Sequence, residues 1–243
     1  MSPSKKAKIL YTKPHIARWI RPFDQNPAFL LMFMARVTQG DNRGVQPPLN
    51  VPCFTRPQVE SYGDLLFDGD ERNVSEDEAN AFCERLIDRG HLGVLEHIQT
   101  SVHIVCSRAC SHQIVRHRMA SYLQVSQRHV AVNTFIRHCH NKEDRRTRAE
   151  MKRVETVALD AYTRLIAAGS PKELARMVLP QTAATHIIMT ANLRAWRHFL
   201  SLRMDHTAQD EVRYIATDIC DLLRQWFPPI QYKLLTPEEE GKE

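Results

Sequence analysis

Between Ile98 and Cys106 the chain alternates in a way no helix can use. In HIQTSVHIVCS, Ile98, Thr100, Val102, Ile104 and Cys106 are separated by more polar residues, which predicts a strand with one buried face. Helical patterns stand on both sides of it. Upstream, SEDEANAFCERLIDRG offers Ser75 as N-cap with Glu78 three residues on, and Gly90 to end the helix. Downstream, RACSHQIVRHRMAS returns to helical spacing. Later, Val154, Val157, Ala158, Ala161, Tyr162, Leu165 and Ile166 form a helical stripe that Gly169 can stop. Ser170 and Pro171 suit the N-cap and first residue of the next helix, which VLPQ breaks. Two further helical segments are predicted, Thr182 to Leu202 and Thr207 to Trp226, before FPPIQYKLL. PAFLLMFMARVTQ reads as a helix, GVQPPLNVPCFTRP as a Pro-rich loop, HVAVNTFI as a candidate second strand, and KEDRRTR as a solvated linker or helix start. Helices with a few strands and no βαβ alternation predict an α+β class rather than a doubly wound sheet.

Composition narrows the classes further. Of 243 residues, 43% are hydrophobic and 25% charged, ordinary for a globular chain with a sizeable core. The longest apolar run, Phe29 to Ala35, is far too short to span a membrane. MSPSKKAKIL lacks an apolar signal core, so the expected location is cytoplasmic. The six cysteines, Cys53, Cys83, Cys106, Cys110, Cys139 and Cys220, show no C-x-x-C spacing and are expected to be reduced and structural. None has a sequence context that would activate a nucleophile. His138, Cys139 and His140 invite a metal, but no second cluster completes four ligands, so no metal is expected.

The charge pattern points to an anion. Net charge is +5, and from Arg108 to Arg148 nine Lys or Arg face two acids, Glu143 and Asp144. Nucleic acid, nucleotide or phosphate would suit such a segment, as would a merely solvated basic face. Eight glycines in the whole chain leave no dinucleotide fingerprint and no Walker loop. A bound nucleotide must therefore be held by side chains, and arginine's planar fork gives bidentate bonds to phosphate. Three segments carry such arginines: RHRMASYLQVSQR, ARMVLP with Arg176, and NLRAWRHFLSLRMDHTAQDE. In the third, Asn192, Arg194, His198 and Arg203 punctuate an apolar helix whose core contacts are Leu193, Trp196, Phe199, Leu200 and Leu202. Arg203, between Leu202 and Met204, needs a partner if buried: Asp205, Glu211 or an anionic ligand.

Together these segments resemble the flavin-dependent thymidylate synthases. Arg116, His117, Arg118 and, after seven residues, Ser126 match the family signature, with Ser121 and Arg128 in its longer form. GHLGVLEH, ending in Glu96 and His97, resembles the block before the strand, and the ARMVLP and NLRAWRHFLSLRMDHTAQDE segments resemble the two later blocks. The match is clearest over 90–232 of a single domain expected at 1–243.

The resemblance implies an α+β fold with helices packed on a small, mostly antiparallel sheet, in a homotetramer with active sites between subunits. It implies reductive methylation of dUMP to dTMP, with methylenetetrahydrofolate as carbon donor and FAD carrying hydride from NADPH, and no cysteine attack on the pyrimidine. Carried over, Gln113, Arg116, Gln124, Ser126, Gln127, Arg128 and Arg176 would bind dUMP, the last four at its phosphate end. Glu96, Arg116, His117, Arg118, Gln124, Asn192, Arg194 and His198 would bind FAD. Arg203 would be catalytic, beside the uracil ring, favouring ionisation at N3. Leu123 stands where the family usually has Asn, Gln124 where Glu is common, His129 where Tyr is frequent, and His206-Thr207-Ala208-Gln209 replaces Ser-His-Ala-Gln. Leu123 and Gln124 keep open a related flavin-dependent pyrimidine-nucleotide hydroxymethylase. A different class, a basic nucleic-acid-binding module, is opposed by the scarcity of aromatics in the basic segment, Tyr122 and Phe135. No membrane or nucleic-acid partner is expected.

Overall fold

A computed structural model describes residues 10–12, 15–20, 27, 28, 31, 35, 75–136 and 145–231. They fall in two compact units, one within Met1–Ile20, Ser101–Ala191 and Leu202–Ile219, the other within Arg21–Thr100, Asn192–Ser201 and Cys220–Glu243. In chain order the elements begin with strands β1 (Leu10–Thr12) and β2 (His15–Ile20), helix α1 (Glu76–Asp88) and a 3-10 turn (Leu92–His97). Then come β3 (Gln99–Ser107), α2 (Arg108–Ile114), β4 (Ser121–Gln124), β5 (Thr134–Ile136), α3 (Arg145–Ala167) and α4 (Lys172–Ala175). A 3-10 turn (Arg176–Val178) leads to β6 (Ala184–Asn192), α5 (Leu193–Arg203), α6 (Asp210–Trp226) and a final 3-10 turn (Pro228–Gln231).

In the first unit four strands form a sheet in the order β2-β3-β6-β4. The β2–β3 and β4–β6 pairs are antiparallel, while β1 pairs with β5 in parallel. The alternation read in β3 is present: Thr100, Val102 and Ile104 are buried, and Ser101 and His103 between them are half-buried. A second core cluster gathers Val132, Phe135, Leu159, Tyr162, Ala175 and Ala183, with Leu165, Ile166 and Leu179 packed against it. The α3 stripe is only half right. Ala158 and Tyr162 are buried, but Val154 and Val157 are 44% and 57% exposed, and Glu155 and Leu159 are buried in their place. The cluster packs on Leu159, Tyr162, Leu165 and Ile166, and neither valine belongs to it.

The expected helix from Thr182 to Leu202 is corrected: its first half is the strand β6. Thr185, Ile187, Met189 and Ala191 are buried and their neighbours are less so, a period of two. Residues four apart, such as Ile187 and Ala191, lie on one face in either periodicity, which is how a strand can imitate a helix. Register settles it, because Tyr122 pairs with Met189 and Gln124 with Ile187. That pairing makes SYLQ a strand although it has no apolar alternation of its own. The helix after β3 stops at Ile114, short of the serine at 121, and of HVAVNTFI only Thr134–Ile136 is strand.

Helix ends follow the sequence closely. Ser75 and Glu78 form the expected capping box of α1. Gly90 and Gly169, with φ of 75° and 83°, end α1 and α3. In each case the glycine and the next residue return N–H bonds to the last turn: Gly90 to Ile87, His91 to Leu86, Gly169 to Ile166 and Ser170 to Leu165. Pro171 is itself the N-cap of α4, one residue later than Ser170.

In the second unit the core includes Leu86, Leu95, Trp196, Phe199, Leu223 and Phe227. Trp196 and Phe199 meet edge to face at 5.8 Å, and the Trp196 indole donates to the Thr100 carbonyl at 3.4 Å. Each such buried aromatic contributes about 2–3 kcal/mol. Ala28, Leu31 and Ala35 are helical and buried, in the expected helix. The Pro-rich loop, His138, Cys139, His140 and the acidic tail lie outside the described residues.

Candidate functional site

The first unit holds the end of α2, the turn after it, and Arg203. Ser107 closes β3 and caps α2, accepting from Cys110 N at 3.0 Å. That fixes Gln113 in the last turn of α2. The Arg203 guanidinium donates through Nη2 to the Gln113 backbone oxygen at 3.0 Å, and the Gln113 amide donates to Gln209 Oε1. Both acids offered as partners for Arg203 are engaged elsewhere. Glu211 is buried and accepts from Ser107 N and Ser107 Oγ, each at 2.7 Å. Asp205 accepts from Thr207, whose hydroxyl and, to a smaller degree, backbone N–H hold its carboxyl below the usual range. Arg203 Nε is buried and has no hydrogen-bond partner among the described residues. A guanidinium half-satisfied by a carbonyl and facing no bonded carboxylate suits an anionic or strongly accepting ligand.

Arg116, His117 and Arg118 form the turn beyond α2, where Arg116 N and His117 N bond back to Gln113 and Ile114 oxygens at 3.3 and 3.1 Å. Arg116 and Arg118 are exposed and the His117 side chain is buried. Tyr122 on β4 pins this turn, its hydroxyl lying 3.0 Å from the Ile114 oxygen and 2.6 Å from that of His117. Burial pushes the Tyr122 phenol up to about 12, against the opposing pull of Arg203, so it stays a neutral donor. Gln124 donates to Ser111 Oγ at 3.0 Å and Thr185 Oγ1 at 3.1 Å. Its amide is therefore tied to the chain's own hydroxyls, whereas Leu123 is 72% exposed.

Of Ser126, Gln127, Arg128 and Arg176, expected together, Gln127 and Arg128 line two different clefts that share Arg176, and Ser126 lines neither. One, of about 330 Å³, is lined by Arg108, His112, Gln127, Arg176, Met177, Leu179, Pro180 and Gln181. The other, wider and more open, is lined by Arg128, Glu173, Leu174 and Arg176. Arg128 pairs with Glu173 at 3.0 Å, both more than half exposed. Ser126 Oγ accepts from Arg128 N at 3.3 Å, which shapes the turn.

In the second unit Asn192 caps α5, its Oδ1 accepting from Ala195 N at 2.8 Å. Arg194 pairs with Glu96, which the 3-10 turn before β3 presents. Arg194 and His198 are four residues apart and exposed on one face of α5. The structure thus brings Glu96 and Arg194 into contact and places Asn192 at the same helix start.

The described cysteines, Cys83, Cys106, Cys110 and Cys220, are buried free thiols. Burial pushes Cys83 up to about 12, and a bond with Cys106 together with burial raises Cys110. Such thiols stay protonated and make poor nucleophiles. Among the described residues no three His, Cys, Asp or Glu side chains gather as metal ligands. Several residues escaped the sequence reading: Gln209 as partner of Gln113, Ser111 and Thr185 as partners of Gln124, and Arg108 and His112 in the cleft. Only the last two left a signal, standing eight and four residues before Arg116 on a helical stripe.

Comparison with known proteins bears out the family resemblance. Residues 24–229 match the family described as thymidylate synthase complementing protein. A flavin-dependent thymidylate synthase of Pyrococcus abyssi is 36% identical over 170 residues, covering 67% of this chain and 70% of that protein. One from Pyrococcus furiosus is 37% identical over 165 residues, 65% of this chain and 67% of the relative. One from Geobacter sulfurreducens is 36% identical over 175 residues, 70% of this chain and 75% of the relative.

Proposed function

The chain belongs to the thymidylate synthase complementing protein family, the flavin-dependent thymidylate synthases, and on that premise we propose which of its residues carry the reductive methylation of dUMP to dTMP. The observation that carries the assignment is Arg203: bonded at one nitrogen to Gln113, buried at Nε, with both nearby acids committed elsewhere. It sits beside the uracil ring and stabilises the negative charge left when N3 gives up its proton. Gln113 and Arg116 contact dUMP. Ser126, Gln127, Arg128 and Arg176 hold its phosphate, and the unbonded Gln127 Nε2, 8% exposed as a residue, supports that placement.

Arg116, His117, Arg118, Glu96, Asn192, Arg194 and His198 hold FAD. The exposed cations of the RHR turn fit its pyrophosphate. Gln124 braces β4 against α2 and β6 through Ser111 and Thr185, and its exposed edge reaches flavin and nucleotide. In the reaction C5 of uracil loses its proton and bonds to the one-carbon unit, whose two bonds to folate nitrogens both break, one C–C and one C–H bond forming in their place. Methylenetetrahydrofolate is the carbon donor, and bound FAD supplies the hydride that completes the methyl group, drawn from NADPH. The chain acts as one catalytic domain over 1–243, in a cytoplasmic homotetramer with active sites between subunits. No described helix is long and apolar enough to cross a membrane. Family membership favours neither the hydroxymethylase nor the nucleic-acid-binding module.

The test is product mass. Protein supplied with FAD, NADPH, methylenetetrahydrofolate and dUMP is expected to add a methyl increment to the nucleotide. A hydroxymethyl increment would instead establish the related reaction, and no increment with flavin bound would exclude dUMP as substrate.

A further inference from the structure

We propose that Arg108 and His112 form a second wall of the phosphate site, so that the 5′-phosphate of the nucleotide seats in the cleft they share with Gln127 and Arg176. The inference rests on the reading that Gln127 and Arg176 lie at the phosphate end of dUMP, and it adds two residues that neither the signature nor its spacing assigns.

The cleft is built from rigid parts. Arg108 and His112 are four residues apart on α2, so they project from one side of it. The opposite wall is the segment before β6, and the two are stitched by backbone bonds: Arg108 N to Ala183 O at 3.0 Å and Ala109 N to Gln181 O at 3.2 Å. Those bonds consume the first N–H groups of α2, so the positive character of the cleft comes from side chains. Its lining holds two arginines and a histidine and no carboxylate. Gln127 adds a buried amide Nε2 that bonds to no group among the described residues. A buried donor without a partner costs stability, and an oxygen-rich anion removes that cost. Arg108 and Arg176 offer forked donors to the same ligand.

The neighbouring cleft is a poorer host. Its Arg128 is already paired with Glu173, and that carboxylate would repel a phosphate. A dianionic phosphate monoester of nucleotide size therefore belongs on the Arg108 side of Arg176, with Arg128 at its outer edge.

The test compares dUMP with deoxyuridine, which keeps the base and sugar and lacks the phosphate, on the flavin-loaded enzyme. Arg108→Met and His112→Leu are expected to weaken dUMP binding, Arg108→Met by about tenfold or more. Both should leave deoxyuridine binding and flavin absorbance unchanged, and should raise KM with kcat held. Arg108→Lys should recover part of the loss. Unchanged dUMP affinity in both variants, with losses in Gln127→Met and Arg176→Met, would overturn the second wall and leave the phosphate reading standing. Unchanged affinity in all four would overturn both. Equal losses for dUMP and deoxyuridine would show a structural role and also overturn the proposal.

Discussion

Arg203 donates to the backbone oxygen of Gln113 at 3.0 Å, so the guanidinium caps the C-terminal turn of α2. Helix C-termini present unpaired carbonyls and a partial negative charge, which hold a cation in place without a carboxylate. The charge is therefore positioned but not neutralised. Arg203→Ala should lower turnover by about a hundredfold or more while flavin stays bound. Single-turnover rates with the flavin spectrum as control check this, and wild-type turnover in the variant would remove Arg203 from the mechanism.

Gln209 holds the Gln113 side chain from the other end. Gln209→Leu leaves that amide without its acceptor and should weaken dUMP by about fivefold, the worth of one neutral hydrogen bond. Gln209→Glu keeps an acceptor at the same place and should restore most of the affinity. Calorimetric titration of both variants separates this from a general loss of packing, which the glutamate would not rescue.

Cys83 makes stability depend on alkaline pH. Burial, and to a smaller degree Glu84, pushes its thiol from the usual 9.0 up to about 12. Between those values the unfolded chain has lost the proton and the folded chain keeps it. Stability should then fall as pH rises from about 9 to about 12, by at most about 1.4 kcal/mol per pH unit from this group. Urea unfolding of wild type and Cys83→Ala across that range tests the difference in slope. Parallel slopes would show that the thiol titrates alike in both states.

Gly169 ends α3 at a φ of 83°, and among the described residues beyond its own turn no heavy atom lies within 4 Å of where a side-chain carbon would stand. Gly169→Ala therefore meets backbone strain and no clash, and should cost about 1–2 kcal/mol. Denaturant midpoints at constant m-value measure it.

Local signals read true where a residue acts within its own turn. Ser75 with Glu78, and the glycines at 90 and 169, are such cases, and β3 showed its period over enough residues to be distinctive. What the sequence hid depends on distant partners. SYLQ is a strand because β6 lies beside it, and β6 resembled a helix because apolar residues four apart, such as Ile187 and Ala191, share a face in both periods. In the site, the arginines and the signature serine were legible as chemistry. Their pairing was not: Glu211 turned out to serve Ser107, 104 positions away, and Glu173 to serve Arg128, 45 positions away. Proximity in sequence had offered Asp205 and Glu211 alike for Arg203.

At Ser107 the last residue of β3 is also the cap of α2, so strand and helix meet with no loop between them. A loop would absorb a length change; this junction cannot. One residue added to or removed from β3 would reverse the face on which the chain leaves the strand and shift the start of α2 by about 3.3 Å. Arg108, His112 and Gln113 would swing together, away from the 181–183 carbonyls and from Arg203. The strand thus works as a fixed gauge whose length sets the start and direction of the helix. Insertions and deletions should be rejected there even where the replaced residues touch no ligand.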